Sequence, residues 1–299
     1  MIETRCSFDS QGCACAATLY RPDGVARPPV LLMAHGFGAV RAAGLPDYAR
    51  HFIESTGWSV LLFDYRGFGD SGGRDRQLIG VRRQLDDWRA AIAFARRLPD
   101  VDGQRLALWG YSFSGGHVIR LAGETEGLLG ILAMAPHLSG LAGLAQVAPL
   151  TLLRLSAAGI ADLLGGLVGR PVFVQTIGRA GETAALASDD AWAAFEALRA
   201  AGVDMDNRVR ARIALALPYY SPLRDARRVQ VPALVMAGDV DPVTPARLAR
   251  KAAERMPDAR YVEYHGLHFD PMFPPLREQI WAEQTTFLRR LADPLQSQA

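Results

Sequence analysis

Six short runs of apolar residues recur along the chain, with longer stretches of mixed polarity between them. Most of these runs are continuously hydrophobic, which is typical of strands covered on both faces, as in a parallel sheet. We therefore predict strands at VLLMAHG (30–36), WSVLLFDYRG (58–67), RLALWGYS (105–112), GILAMAP (130–136), PALVMAGD (232–239) and RYVEYHG (260–266).

The stretches between the strands carry apolar residues at three-to-four spacing, which predicts helices with one buried face. Five such helices are predicted, at 45–57, 84–100, 114–123, 245–258 and 275–292. Strands that alternate with helices in this way build a doubly wound, mostly parallel α/β sheet with right-handed crossovers.

One interval, between Pro136 and Pro232, shows no convincing strand. Its helix-like pieces lie at 150–169, 188–202 and 206–217 and are separated by Gly and Pro. An insertion of this length is too long for a loop. We therefore predict a core formed by 1–136 and 229–299 and an inserted helical lid at 137–228.

Residues 127–153 contain no charged side chain and exceed the roughly 18 residues that indicate a membrane span. Pro136, His137 and Pro149 interrupt this stretch, so a strand that continues into an apolar, partly helical insertion is preferred over a span. The first residues, MIETRCSFDSQG, have neither a basic nor an apolar signal region. No membrane association is expected, and the expected location is cytoplasmic.

The charge balance is near neutral, with 33 basic and 31 acidic residues and a net charge of +2. No bulk field would therefore attract nucleic acid or anionic lipid. The three cysteines, Cys6, Cys13 and Cys15, form an odd cluster that predicts neither a disulfide framework nor a zinc site. They are expected to be small side chains in an N-terminal pair of strands.

The third apolar run ends in Gly110-Tyr-Ser112-Phe-Ser114-Gly115-Gly116. A serine between small residues, where a strand meets a helix, is typical of a nucleophile elbow. The tight turn needs small residues two positions before and after the serine and presents its Oγ above the sheet. Here Ser114 stands where the common pattern has glycine. The alternative is a strand-end serine in a glycine-rich turn.

A serine hydroxyl becomes nucleophilic when a base takes its proton and an acid orients that base. Two candidate acids, Asp239 and Asp241, follow the fifth run, and two candidate bases, His265 and His268, follow the sixth. We favour Asp241 and His268 because they lie further into their loops, where they can turn toward the serine. Ser112, Asp241 and His268 then follow the chain order of α/β-hydrolases.

The first strand ends in His35-Gly-Phe37-Gly38, a loop of the kind that supplies a backbone N–H to an oxyanion hole. We assign the hole to the N–H groups of Phe37 and Phe113; the alternative is a turn that needs its glycines. Neither metal-ligand spacing nor a phosphate-binding motif occurs, so no metal or cofactor is expected. Four other histidines are expected to have structural roles: His35, His51, His117 and His137.

Six segments together resemble the α/β-hydrolase superfamily. They are HGFGAVRAAGLPDYARHF, FDYRGFGDSGG, QLDDWRAAIAFAR, LWGYSFSGGHV, GDVDPVTP and HFDPMF. Within the superfamily they resemble the branch of polyketide transferases and thiohydrolases, which is related to dienelactone-hydrolase-like and peptidase-like enzymes. The resemblance implies a Ser112–Asp241–His268 triad and substrates that include carrier-protein thioesters. Leu267 departs from the glycine that often precedes the histidine.

These observations predict a serine hydrolase or acyltransferase that forms an acyl-enzyme from an ester or thioester. The apolar insertion favours a hydrophobic or polyketide-like acyl chain on a small molecule or a carrier protein. The alternatives are a peptidase or amidase with the same triad, a catalytically silent binding protein, and a lipase that docks on lipid. No motif specifies the oligomeric state, and a homodimer remains one of the alternatives.

Overall fold

The computed structural model describes residues 1–145 and 147–293, so residue 146 of the predicted insertion and residues 294–299 of the predicted core lie outside it. An eight-stranded sheet runs through the protein in the order β1-β2-β4-β3-β5-β6-β10-β11. Its strands are β1 Ile2–Ser10, β2 Cys13–Arg21, β3 Pro29–Ala34, β4 Ser59–Phe63, β5 Asp102–Tyr111, β6 Leu128–Met134, β10 Ala233–Gly238 and β11 Ala259–Tyr264.

The strands from β4 to β11 in this order pair in parallel, whereas β1 and β2 form an antiparallel hairpin that joins the sheet through β4. The prediction of a mostly parallel, doubly wound sheet is thereby confirmed. Each of the six predicted strands is present, but most end before the Gly or Asp of their run because those residues begin the loops. The hairpin carries the three cysteines, all free thiols.

Helices cover the sheet on both faces and bury it completely at its centre. The helices outside the insertion are α1 Leu45–Thr56, α2 Val81–Ala95, α3 Phe113–Ala122, α8 Ala246–Ala253 and α9 Leu276–Ala292. Helices α1 and α9 share one apolar cluster with the sheet, and α2, α3 and α8 share the other. This double coverage explains why the strands read as continuous apolar runs.

The interval between Pro136 and Pro232 differs from the prediction, because it contains strands as well as helices. Its α-helices and strands are α4 Gly140–Leu144, α5 Pro149–Leu167, β7 Phe173–Gly178, β8 Ala184–Ala187, α6 Asp189–Ala200, β9 Arg208–Arg210 and α7 Ile213–Ala216. The strands form a small sheet in the order β8-β7-β9. The expectation of no strand was therefore wrong, and the helix predicted at 206–217 begins as a strand.

Residues 127–153 do not form one helix, since they contain β6, α4 and only the start of α5. Within the described part of the chain, α5 is the one helix long and apolar enough to cross a membrane by length and composition. Only three of its nineteen residues, Leu155, Gly159 and Asp162, are buried. Helix α5 packs against β7, β8 and α7 and leaves its other face exposed.

Candidate active site

Ser112 lies in the sharp turn between β5 and α3, at the carboxyl edge of the parallel strands. Its backbone has φ 57° and ψ −114°, a conformation that L residues with a side chain rarely adopt. The serine precedes the first residue of α3, yet its Oγ does not cap that helix. The hydroxyl is therefore available to groups on neighbouring loops.

Small residues make this turn possible because the strand and helix approach each other closely. A Cβ placed on Gly110 would lie 2.2 Å from the Ser114 carbonyl oxygen, and one on Gly116 would lie 2.3 Å from the His137 carbonyl oxygen. Both distances are sterically forbidden. The structure thus explains the glycines around Ser112, and it accommodates Ser114 because that side chain points away from the turn toward β3.

The structure brings Ser112, Asp241 and His268 into one hydrogen-bonded chain. His268 Nδ1 lies 2.7 Å from Asp241 Oδ2, and His268 Nε2 lies 2.9 Å from Ser112 Oγ. A carboxylate can only accept, so Nδ1 donates to it and Nε2 is left to accept from the serine hydroxyl. The three residues come from the loops after β5, β10 and β11, as the sequence predicts.

The carboxylate of Asp241 is fully buried but well supplied with donors. Thr244 donates to it through both its hydroxyl and its backbone N–H, at 2.6 and 2.9 Å, and the Val243 N–H donates at 2.7 Å. Burial raises the pKa of Asp241, but His268 and the Thr244 donors outweigh burial and hold that pKa below its usual value. The acid is therefore ionised at neutral pH.

The rejected candidates, Asp239 and His265, form a pair of their own on the surface. Their side chains are 3.0 Å apart, and that of His265 is 85% exposed. The hydrogen bond from His265 lowers the pKa of Asp239, and Asp239 in turn raises the pKa of His265. This second acid–histidine pair makes no hydrogen bond to Ser112. The structure therefore distinguishes it from the Asp241–His268 pair, which sequence spacing alone does not.

Two backbone segments lie against Ser112 where an oxyanion would form. Phe113 is the first residue of α3, where a backbone N–H has no acceptor within the helix. The loop after β3 approaches from the other side, since a Cβ on Gly36 would lie 3.2 Å from Ser112 Cβ. The rings of Phe37 and Phe113 meet edge to face at 5.6 Å.

Two buried groups, whose contacts the sequence did not predict, hold the loop after β3. Ser114 Oγ donates to the His35 carbonyl oxygen at 2.5 Å and also contacts the Tyr65 hydroxyl. The Asp64 carboxylate accepts from the Arg41 backbone N–H at 2.6 Å and pairs with its guanidinium. The loop between His35 and Arg41 is thus tied to the elbow helix at one end and to the end of β4 at the other.

Tyr111 and Thr244 are further residues of the site that sequence reasoning missed. The Tyr111 hydroxyl donates to the His268 carbonyl oxygen at 2.5 Å, and its ring stacks on the imidazole at 5.3 Å between centroids. Its position beside Ser112 is the only sequence signal for Tyr111. For Thr244 the signal is a hydroxyl three residues after the acid.

A partly enclosed cavity beside Ser112 and His268 is lined almost entirely by apolar side chains. Its floor comes from the core, and its roof comes from the insertion through Ile177 of β7, Leu186 of β8, Leu198 of α6 and Met205. Among the described residues, the cavity lining includes no Asp, Glu, Lys or Arg. Across residues 1–145 and 147–293, no group of three or more His, Cys, Asp or Glu could hold a metal ion.

Comparison with known proteins places this arrangement in a family. The model of the serine aminopeptidase S33 family, Hydrolase_4, matches residues 26–273, which is most of the chain. The chain is an S33-type α/β-hydrolase. The predicted resemblance to the branch of polyketide transferases and thiohydrolases is confirmed, and so is the prediction of an enzyme of the α/β-hydrolase fold.

Three relatives illustrate this branch. The chain is 36% identical over 285 residues to the quorum-quenching protein AidA of Acinetobacter baumannii (strain MDR-ZJ06). The aligned region covers 95% of this chain and 93% of AidA. It is 38% identical over 113 residues to the thiohydrolase aneE of Aspergillus aculeatus, across 38% of this chain and 35% of aneE. The crystal structure of the α/β hydrolase GrgF from Penicillium sp. sh18 superposes with a TM-score of 0.83 at 24% identity, across 97% and 99% of the two chains.

Two further histidines of this α/β-hydrolase are buried close to the site. His117 lies between Tyr220 and Gln84, at 2.7 and 3.0 Å, and so joins α3 to the insertion and to α2. His137 stacks on Tyr220, and its Nε2 has no partner among the described residues. Burial is the main cause that lowers the pKa of His117 to about 3 and that of His137 to about 4.

These low pKa values predict that stability falls in mild acid. The unfolded chain binds a proton on each ring near pH 6.5, whereas the folded protein does so only near pH 3 to 4, so stability is lost as the pH falls below 6.5. We expect the free energy of unfolding to be about 2 kcal/mol lower per ring at pH 5 than at pH 7. Urea unfolding at the two pH values measures the difference.

The matched variants are His117→Gln and His265→Gln. The first removes a buried ring with a low pKa and is expected to reduce the pH dependence by the roughly 2 kcal/mol assigned to that ring, whatever its effect at pH 7. The second removes an exposed ring whose pKa Asp239 raises, so the acid-induced loss of stability is expected to remain and not to decrease. An unchanged dependence in His117→Gln would contradict the assignment of the acid sensitivity to this ring.

Proposed function

We propose that this protein is a serine hydrolase or acyltransferase that forms an acyl-enzyme from an ester or thioester with an apolar acyl chain. The observation that carries the proposal is the continuous hydrogen-bonded chain from Asp241 through His268 to Ser112 Oγ, with all three side chains buried. Such a chain provides a nucleophile, a base and an orienting acid in contact with one another.

In the proposed reaction, Ser112 Oγ attacks the carbonyl carbon while His268 Nε2 takes the hydroxyl proton. The carbonyl oxygen becomes an oxyanion and is bound by the N–H groups of Phe37 and Phe113. The tetrahedral intermediate then expels the alkoxide or thiolate, which receives the proton from His268. Water or an acceptor alcohol next attacks the Ser112 ester by the same route in reverse, which returns the proton and the free serine.

Asp241 acts through the imidazole. Its carboxylate keeps the proton on Nδ1, so that Nε2 faces Ser112 as an acceptor, and it stabilises the imidazolium formed during each transfer. The donors from Val243 and Thr244 fix the carboxylate, and the Tyr111 hydrogen bond fixes the main chain of His268. Both sets of contacts support a site that is organised before the substrate binds.

The cavity supports an apolar acyl chain as the part of the substrate that is bound. Leu186, Leu198 and Met205 close it from above, and an uncharged lining gives no compensation for a buried charge on the acyl chain. The names of the relatives agree with acyl chemistry of this kind, because they include a thiohydrolase and a polyketide transferase.

The family name favours a second candidate, an aminopeptidase. Such an enzyme has to bind a free α-amino group, and an ammonium group in a buried site needs a carboxylate partner. The described residues that line the cavity include no carboxylate side chain. The lining therefore supports an ester or thioester rather than a peptide with a free amino terminus.

The test combines labelling with a substrate panel. A fluorophosphonate probe is expected to modify Ser112, as located by mass spectrometry of the peptides. Aliphatic p-nitrophenyl esters and N-acetylcysteamine thioesters are expected to react, whereas aminoacyl anilides are not. An added alcohol separates transfer from hydrolysis, because only transfer yields the new ester. Unlabelled protein with no turnover of either acyl donor would instead indicate a silent binding protein, and cleavage of the anilides a peptidase.

A further inference from the structure

Helix α5 carries an apolar stripe on its exposed face, which we call the α5 seam. The seam consists of Leu150, Leu153, Ala157, Ile160, Leu164 and Leu167. Its five large side chains are each more than half exposed, and Leu167 is 84% exposed. A continuous row of this kind is unusual on a monomer, because apolar patches larger than a few hundred Å² mark sites of association.

The opposite face of α5 is fixed to the insertion, so the seam cannot turn inward. Gly159 lies so close to Leu215 that a Cβ there would be 2.9 Å from its Cγ. Asp162 is completely buried and accepts from the Nε atoms of Arg210 and Arg212 at 2.6 and 2.5 Å. The one acidic residue of α5 is thereby neutralised within the chain, and the seam remains the unpaired side of the helix.

The spacing of the seam indicates the kind of surface that covers it. Successive members are separated by three, four, three, four and three residues, the a and d repeat of helices that pack along their length. A lipid surface imposes no such repeat and binds helices rich in Lys and Arg, whereas Arg154 is the one basic residue of α5. The repeat therefore favours another helix.

We propose that the α5 seam packs antiparallel against the α5 seam of a second copy of this chain, forming a two-fold symmetric dimer. The spacing reads the same from both ends, so every member meets a member: Leu150 faces the partner's Leu167, and Leu153 faces the partner's Leu164. At the centre the small Ala157 faces the partner's Ile160, a pairing of complementary size. This inference does not depend on the proposed reaction.

Charge and area both fit this pairing. Arg154 lies near the start of α5, and the antiparallel arrangement sets it beside the last turn of the partner helix, where the free carbonyl groups favour a cation. The large seam residues each offer on the order of 100 Å² of apolar surface, and the exposed Val168 at the end of the helix adds to this. The total is comparable with the roughly 800 Å² that each partner buries in a standard interface.

The dimer would also hold the roof of the cavity. Helix α5 packs on β7 and β8, which supply Ile177 and Leu186 to the cavity lining. The proposed interface lies on the outer side of the same helix. Each copy would therefore restrain the segment that closes the other's acyl site.

Sedimentation equilibrium between about 1 and 100 µM tests the dimer, and paired substitutions test its register. Leu153→Glu and Leu164→Arg are each expected to weaken association at least about 100-fold, because each buries a charge opposite leucine. The double variant is expected to recover the dimer, since an antiparallel pairing brings the new carboxylate of each copy against the new guanidinium of the other. A parallel pairing would oppose like charges and give no recovery.

The matched control is Val25→Glu, which changes an exposed apolar residue outside the insertion and is expected to leave association unchanged. A wild-type protein that is monomeric at about 100 µM would overturn the proposal. So would a double variant that stays monomeric, or dissociation by Val25→Glu. Co-sedimentation of monomeric protein with phosphatidylcholine vesicles would identify a lipid surface as the occupant instead.

Discussion

Replacing Ser112 with alanine is expected to lower kcat for a p-nitrophenyl ester by about 10⁶-fold, the loss found when the serine of a catalytic triad is removed from subtilisin. The physical reason is that, among the described residues, Ser112 supplies the hydroxyl hydrogen-bonded to His268 Nε2, at 2.9 Å. The residual rate would come from binding and from the oxyanion donors alone. Steady-state kinetics against a freshly purified wild-type sample measure the loss.

The neighbouring serine provides the matched control. Ser114 is buried, as Ser112 is, but its Oγ donates to the His35 carbonyl oxygen and does not contact His268. Ser114→Ala removes this tie from the oxyanion loop and is expected to reduce kcat by about tenfold or less, within the range of one hydrogen bond. If Ser114→Ala were the inactive variant and Ser112→Ala retained its rate, the assignment of the nucleophile would be wrong.

Replacing Asp241 with asparagine is expected to lower kcat by about 10⁴-fold, as the equivalent change does in a serine protease. The amide is nearly isosteric, so the fold and the cavity remain, but its NH₂ group can donate to Nδ1. The imidazole would then take the opposite tautomer, with a proton on Nε2 where the serine proton has to go. The rate at pH 7 to 9 on the ester substrate measures this effect.

Asp239→Asn serves as the control for Asp241→Asn, because both carboxylates belong to the same loop and each contacts a histidine. The Asp239 pair is exposed and contacts no member of the chain that includes Ser112. We expect Asp239→Asn to keep kcat within about twofold of wild type. A large loss in this variant together with a small loss in Asp241→Asn would assign the orienting acid to Asp239.

The sheet could be predicted from sequence because its strands are buried on both faces and therefore read as unbroken apolar runs. The strands of the insertion could not, since β8 and β9 have only four and three residues and half of the residues of β7 are only partly buried. Their pairing is fixed by contacts across the insertion, such as the Asn207 side chain with the backbone of Ile177. Local sequence patterns do not reveal such long-range contacts.

The positions of Ser112, Asp241 and His268 follow from strand ends and loop lengths, so sequence alone could place them together. The groups that hold them could not be identified in the same way. Tyr111 and Ser114 act through hydrogen-bond partners in loops distant in the sequence, and Thr244 through a hydrogen bond to Asp241 that depends on the conformation of their shared loop. The α5 seam could be predicted from sequence only in part. Its spacing is visible in the sequence, but its exposure follows from the burial of Asp162 on the opposite face of the helix.

The sheet order has a consequence for when activity appears during folding. His268 meets a serine that lies 156 positions earlier in the chain, and β10 reaches its place only by pairing with β6 across the whole insertion. Contacts of such long range form late, since the loop between them has to be closed first. We therefore expect the recovery of turnover after dilution from denaturant to lag behind the recovery of the helical circular-dichroism signal. The return of activity then marks the point at which β10 has paired with β6 and His268 has reached Ser112.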